Sequence, residues 1–244
     1  MKYACITDPG KVRNHNEDSV IALSNDNNEY LLAVADGMGG HKCGEVASMI
    51  AVENLTKRFK EKKTVGNKDE AIKFIKDTVS EINVLIYEYT KKNPESIGMG
   101  TTLVIGLKTD DFLLFGNIGD SSGYVYKNKK IHKMTVDHTL VGLMVKSGDL
   151  TEEKAKEHPS KHVLMRALGA ATTVEMDIFN IETEVDGILL CSDGLTNMLT
   201  NEQIEKVLDE KSDCETKLQK LVTKCNNRGG NDNISIAFLT KEAE

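Results

Sequence analysis

Four aspartates stand where an apolar run gives way to Gly, Ser or Asn. They are Asp36 in Ala33-Val34-Ala35-Asp36-Gly37-Met38-Gly39-Gly40-His41, Asp120 in Asn117-Ile118-Gly119-Asp120-Ser121, Asp193 in Leu190-Cys191-Ser192-Asp193-Gly194, and Asp232 in Gly229-Gly230-Asn231-Asp232-Asn233. A fifth acidic position, Glu17-Asp18, follows Arg13-Asn14-His15-Asn16 and precedes a short apolar stretch. A carboxylate beside glycine at a strand end can project while the bare backbone approaches a bound ion. Hard cations such as Mg²⁺ and Mn²⁺ take oxygen ligands of this kind, completed by water. Taken singly, Asp-Gly is a common turn dipeptide. Four such sites at the mouths of apolar strands point instead to carboxylates that converge on one edge, where divalent ions relieve their repulsion.

The elements that must position these acids can be read from periodicity. In Glu45–Lys62, residues Ala47, Ile50, Ala51, Leu55 and Phe59 share a helical face; in Asp69–Lys92, Ile72, Ile75, Val79, Ile82, Ile86 and Tyr89 do so, and Asn93-Pro94 ends the run. Two shorter helices near the C-terminus are each expected to open on a capping box, Thr200–Gln203 and Ser212–Glu215. Strand-length apolar segments are Tyr3–Thr7, Tyr30–Ala35, Thr102–Leu107, Phe112–Ile118, Tyr124–Tyr126, Lys130–Met134, Asp177–Ile181, Gly187–Cys191 and Ile234–Leu239. Several are joined by hairpin-length polar links, so antiparallel neighbours are expected. Strand groups separated by helix pairs give an α+β class and not a doubly wound parallel sheet. Residues 137–162 fit neither period and read as a small helical excursion over one edge.

Composition narrows the function classes. The 244 residues are 39% hydrophobic and 28% charged, with 31 Lys plus Arg against 38 Asp plus Glu, a net charge of −7. This is too apolar for a disordered chain. The acidic balance offers no basic face for nucleic acid. No apolar run approaches the roughly 20 residues of a membrane span, and the N-terminus lacks a signal-peptide pattern, so a cytoplasmic location is expected. Five scattered cysteines with no C-x-x-C pair argue against a disulfide framework or zinc site, and read as reduced, mostly buried thiols. With no linker-like seam, a single domain over 1–244 is expected.

The ordered motifs Arg13-x-x-Asn16-Glu17-Asp18, Val34 through His41, Gly100-Thr101-Thr102-Leu103, Gly119-Asp120-Ser121, Asp137-His138, Arg166-Ala167-Leu168-Gly169, Cys191 through Leu195 and Asp232-Asn233-Ile234-Ser235 span nearly the whole chain. Together they resemble the metal-dependent protein phosphatases of the type 2C family, in its bacterial branch. The resemblance implies two stacked antiparallel β-sheets flanked by pairs of α-helices, with a flap around 137–165. It implies two Mn²⁺ or Mg²⁺ ions: Asp36 bridges both, the Gly37 carbonyl serves one, Asp193 and Asp232 hold the other. Glu17 would act through water, with Asp18 as its acidic neighbour behind, and Asp120 with Asp193 would hold a third ion. Arg13 would grip the substrate phosphate, for which its bidentate fork suits it. The implied activity is hydrolysis of phosphoserine and phosphothreonine on proteins by a hydroxide shared between two ions, opposing a Ser/Thr kinase, in a monomer.

Two positions depart from the family pattern. Met38 stands where animal and plant members carry a histidine proposed to protonate the leaving group, and His41 is the nearest replacement. Ser122 stands where the motif usually continues with Arg. Rival chemistries fare poorly: neither Cys43 nor Cys191 has the Arg six positions on that a cysteine phosphatase needs, no P-loop occurs, and His158–His162 carries Pro inside and lacks the Glu of a zinc helix. A non-catalytic phosphoprotein-binding module of the same fold is the alternative, opposed by the presence of Asp36, Asp193 and Asp232. A metal-dependent phosphodiesterase is a second rival.

Overall fold

Runs of Val, Ile, Leu and Phe form the strands of a computed structural model that describes residues 1–39 and 43–241, and the backbone alone at positions 152 and 156. In chain order the first half contains β1 (Lys2–Asp8), β2 (Asp18–Ser24), β3 (Tyr30–Met38), α1 (Gly44–Lys60), α2 (Lys68–Lys92), β4 (Gly100–Thr101), β5 (Leu103–Lys108), β6 (Leu113–Ile118) and β7 (Ser122–Lys127). Then follow β8 (Lys130–Lys133), α3 (Leu140–Ser147), α4 (Glu152–Glu157), β9 (Asp177–Ile181), β10 (Gly187–Cys191), α5 (Asp193–Thr196), α6 (Asn201–Leu208), α7 (Cys214–Asn227) and β11 (Ile234–Thr240).

Two antiparallel sheets result, one ordered β1-β11-β10-β7-β8 and the other β2-β3-β5-β6-β9, with β4 added against β3. Their inner strands β3, β5, β6, β10 and β11 are buried on both faces because each sheet is covered twice. Between the sheets lie Leu32, Val34, Val104, Phe115, Ile188, Leu190, Ala237 and their neighbours. Outside the second sheet, α1 and α2 bury Leu55, Phe59, Ile75 and Ile82; outside the first, α6 and α7 bury Ile204, Leu218 and Leu221. The helix–sheet–sheet–helix order is the expected α+β sandwich. Residues 137–162 form the helical excursion as α3 and α4. No helix among the described residues is long and apolar enough to cross a membrane. Cys43, Cys191, Cys214 and Cys225 are buried thiols, and Cys5 is exposed.

Three local departures have physical causes. β2 lacks a strong strand signal because it sits at a sheet edge with most side chains only half buried. The α2 start carries a capping box absent from the sequence reading: Asn67 accepts from the Asp69 and Glu70 N–H groups, and Glu70 accepts from the Asn67 N–H. The box expected at Ser212 is corrected: α7 is capped by Asp213, whose carboxylate accepts the Thr216 N–H at 2.7 Å. A charged acceptor at a helix N-terminus gains from the helix dipole as a serine cannot. At Thr200 the box holds, with Gln203 Oε1 accepting the Thr200 N–H.

Between the sheets, Phe115 fills room left by two glycines: a Cβ on Gly123 would lie 3.0 Å from its ring, and one on Gly106 would lie 3.5 Å from it. Because this ring is fully buried, Phe115→Ala is expected to cost about 3–5 kcal/mol. Urea unfolding measures this directly, and a loss under about 1 kcal/mol would show that the layers close over the gap.

Candidate metal centre

Strand register delivers the acids to one edge of the sandwich. Asp18 opens β2 and stands directly opposite Asp36 near the end of β3, so two like charges face each other across one rung. β10 ends at Cys191, one residue short of Ser192-Asp193, and pairs with β11, which begins just after Asp232-Asn233. β6 of one sheet ends at Ile118, and the chain passes through Gly119-Asp120-Ser121 into β7 of the other. Both sheets therefore contribute.

Backbone and hydroxyl contacts hold this edge together. Thr102 Oγ1 accepts the Asp36 N–H at 2.9 Å, Thr101 Oγ1 donates to the Asp36 carbonyl at 3.0 Å, and Thr102 Oγ1 lies 2.7 Å from Ser121 Oγ. Gly37 N–H donates to the Glu17 carbonyl at 3.1 Å. A Cβ on Gly37 would fall 2.2 Å from the Gly44 carbonyl oxygen and 2.4 Å from that of Glu17, so only glycine fits there. Across the sheets, Ser192 Oγ donates to Asp18 Oδ2 at 2.8 Å and accepts the Ser235 N–H at 2.9 Å. Asn233 staples the loop carrying Arg13 and Glu17: its Nδ2 donates to the carbonyls of Pro9 and His15, both at 3.0 Å, and its Oδ1 accepts the Glu17 N–H at 2.9 Å. Arg13 Nη2 pairs with Asp232 Oδ2 at 3.0 Å, and not with Glu17 or Asp18, its neighbours in sequence.

Crowding of these acids raises their proton affinity. Desolvation, then repulsion from Asp18, Asp193, Asp120 and Asp232, pushes the Asp36 carboxyl well above the usual carboxylate range. Burial raises Asp18 to about 7, against hydrogen bonds from Ser192 and Ser235. Asp120 is also raised to about 7, by burial and by Asp193 and Asp137. Burial and Asp232 raise Asp193, and burial is the main cause of the rise at Glu17. Asp18 Oδ1 is buried with no hydrogen-bond partner. An all-oxygen donor set, mutually repelling and with an orphaned buried oxygen, fits a hard divalent cation. Among the described residues, no three His, Cys, Asp or Glu side chains close round a single point; the acids share an edge without forming a finished cage.

Other residues at this edge were not assigned a role from sequence. His162 Nδ1 lies 3.7 Å from Asp193 Oδ2, and Asn197 Nδ2 donates to the same oxygen at 3.0 Å. Asn197 was findable, four positions after Asp193 at the start of a helix; His162 carries no local signal. Asp120, Asp193, Lys161 and His162 line a cavity of about 390 Å³, which brings the 137–165 segment beside the acids. His41 lies outside the described residues.

An oxygen-lined edge between two stacked sheets suits a hard divalent cation, and comparison with known proteins gives the class. Residues 11–233 match the family model for protein phosphatase 2C. The serine/threonine phosphatase stp of Listeria monocytogenes is 38% identical over 237 residues, covering 97% of this chain and 94% of that protein. Protein phosphatase PhpP of Streptococcus pneumoniae is 32% identical over 255 residues, covering 100% and 99%. The S. agalactiae serine/threonine phosphatase structure superposes with a TM-score of 0.92 at 35% identity, covering 99% of each chain. The Mycobacterium tuberculosis phosphatase PstP/Ppp gives 0.89 at 34% identity, again over 99% of each. The chain belongs to the protein phosphatase 2C family. It is a phosphoprotein phosphatase of a metal-dependent family.

The raised carboxyls make cation binding and pH interdependent. An acid whose folded pKa exceeds its unfolded value keeps protons that the unfolded chain has released. The resulting stability is full below the unfolded value of 3.8 and is lost as pH rises through about 7. Cations need the deprotonated ligands, so their stabilisation grows over the same interval. The melting temperature with Mn²⁺ minus that with chelator is therefore expected to widen from about pH 5 to about pH 8; a constant difference would contradict the coupling.

Proposed function

We propose that the protein hydrolyses phosphoserine and phosphothreonine on proteins with Mg²⁺ or Mn²⁺ held by Asp36, the Gly37 carbonyl, Asp193 and Asp232. Glu17 serves through water, with Asp18 behind it, and Asp120 joins Asp193 at a third ion. The observation that carries this reading is the gathering of acids from both sheets on one edge, with carboxyls pushed up by burial and mutual repulsion and a buried Asp18 oxygen left without a partner. Bound divalent ions supply two things at such a site: they lower the pKa of coordinated water and neutralise charge on a transferring phosphoryl group.

The chain's own residues do the rest. Arg13 is half exposed even while paired to Asp232, so it keeps donors for phosphate oxygens, which its planar fork meets two at a time. Asn233 sets the height of the Arg13 loop over the acids through its three hydrogen bonds. Ser192 holds Asp18 in place. His41 is the candidate to protonate the departing serine or threonine oxygen, a task that Met38 cannot perform. Relatives named serine/threonine phosphatases support the substrate class. By the same reading the protein acts in the cytoplasm, as a monomer opposing a Ser/Thr kinase.

Hydrolysis of a phosphothreonine peptide is expected to stop with chelator and return with Mn²⁺, while a phosphodiester is left intact. Asp36→Asn and Asp193→Asn are each expected to lower kcat at least about 100-fold, equivalent to roughly 3 kcal/mol of lost transition-state stabilisation. Arg13→Ala is expected to raise KM for the peptide about tenfold, the value of a charge-assisted hydrogen bond. Chelator-resistant turnover, or full activity in both aspartate variants, would defeat the reading.

A further inference from the structure

The metal centre leaves two of the ordered motifs without a task, Asp137-His138 and Arg166-Ala167-Leu168-Gly169, and they meet behind Asp120. His138, almost fully buried, holds the Gly119 backbone at two points. The Gly119 N–H donates to His138 Nδ1 at 3.1 Å, and the His138 N–H donates to the Gly119 carbonyl at 2.9 Å. An Nδ1 that accepts a backbone N–H places the ring proton on Nε2, which lies 3.1 Å from Asp177 Oδ2. Arg166 Nη1 donates to Asp177 Oδ1 at 2.6 Å and to the Glu175 carbonyl at 3.1 Å. Hydrogen bonds from Arg166 and His138 outweigh desolvation and hold the Asp177 carboxyl below its usual range. It is therefore a firm acceptor for the histidine.

Gly119 has little freedom to compensate. Its φ is +97°, and a Cβ there would lie 2.5 Å from Thr102 Cγ2. The Asn117 amide also donates to the Gly119 carbonyl, at 3.2 Å, and to that of Val136 at 2.9 Å. On its other side His138 is joined to the returning end of the 137–165 segment: the Met165 N–H donates to the His138 carbonyl at 2.8 Å, Thr139 bridges Leu164, and the Leu140 N–H donates to the Val163 carbonyl at 2.9 Å.

We propose that His138, oriented by Asp177 and Arg166, is a positioning residue that fixes the Gly119-Asp120 turn and couples the 137–165 segment to it. Asp120 is thereby aimed toward the Asp193 side of the centre, and the segment bearing His162 moves only with the turn. This rests on the reading that Asp120 helps to hold a cation. Residues that orient a metal ligand from behind commonly govern affinity by about 10- to 100-fold.

Two near-isosteric variants divide the contacts. His138→Asn sets an amide oxygen close to the place of Nδ1, keeping the acceptor for Gly119 and losing Asp177. His138→Gln sets its amide near Nε2, keeping Asp177 and losing the acceptor. Mn²⁺ binding by calorimetry and amide exchange at Gly119 are measured on both, with Asp120→Asn as reference. The expected result is that His138→Gln weakens by about 10- to 100-fold the Mn²⁺ step that Asp120→Asn abolishes, leaves the other steps unchanged, and speeds exchange at Gly119, while His138→Asn largely restores both. A wild-type isotherm and wild-type exchange in His138→Gln, or equal damage by both variants, would overturn the proposal. An unaltered isotherm in Asp120→Asn would instead overturn the ligand reading of Asp120, and exchange at Gly119 then decides the claim for His138. Should His138→Gln not fold, Asp177→Ala, which leaves the imidazole, unlike the amide of His138→Asn, with no acceptor to fix its tautomer and leaves Arg166 without its carboxylate, carries the same expectation at smaller amplitude.

Discussion

Repulsion among carboxylates gathered at one edge of the sandwich is the constraint around which the rest is arranged. Asp18 and Asp36 face each other across a single antiparallel rung, where like charges are normally avoided. Asp120, Asp193 and Asp232 add to the same field. Left alone, such a group would splay outward or keep its protons. The structure opposes splaying with short hydrogen bonds: Thr101 and Thr102 to the Asp36 backbone, Ser192 to the Asp18 carboxylate, and Asn233 between the Asp232 strand and the Arg13 loop. The unfavourable charge is thus stored as raised proton affinity.

The apolar layers make that storage possible. Burial of Phe115, Leu190, Ala237 and their neighbours fixes the separation and register of the two sheets. Because each sheet is also covered by a helix pair, neither can twist away to relieve the acids. Two glycines make the tight fit possible, Gly37 wedged between the carbonyls of Glu17 and Gly44 and Gly119 held at positive φ, where a side chain could not follow.

Much of this was legible in the chain. The α1 and α2 periodicity, the β9 and β10 limits and the strand-end position of every acid follow from alternation and spacing, because these are local signals. The β2 edge strand and the α7 cap were not, since half-buried residues blur alternation and a Ser-Asp pair offers two caps at adjacent positions. Family motifs located the acids, but assigned nothing to His162, His138 or Asn117. Those act through partners 31, 39 and 19 residues distant in sequence, Asp193, Asp177 and Val136, and no local pattern predicts such meetings. The choice of Asp232 over Glu17 and Asp18 as partner for Arg13 is likewise decided by a loop crossing that only the fold supplies.

Ser192 Oγ accepts the Ser235 N–H within its own sheet and donates a hydrogen bond to Asp18 in the other. A slip of one sheet over the other by a single residue, about 3.3 Å, would leave every helix and strand intact and break that link. Turnover is thus a stringent gauge of correct layer docking. A population of chains stacked out of step would keep the spectroscopic content of the native fold while having no chemistry, and only the properly seated fraction would be counted by an activity assay.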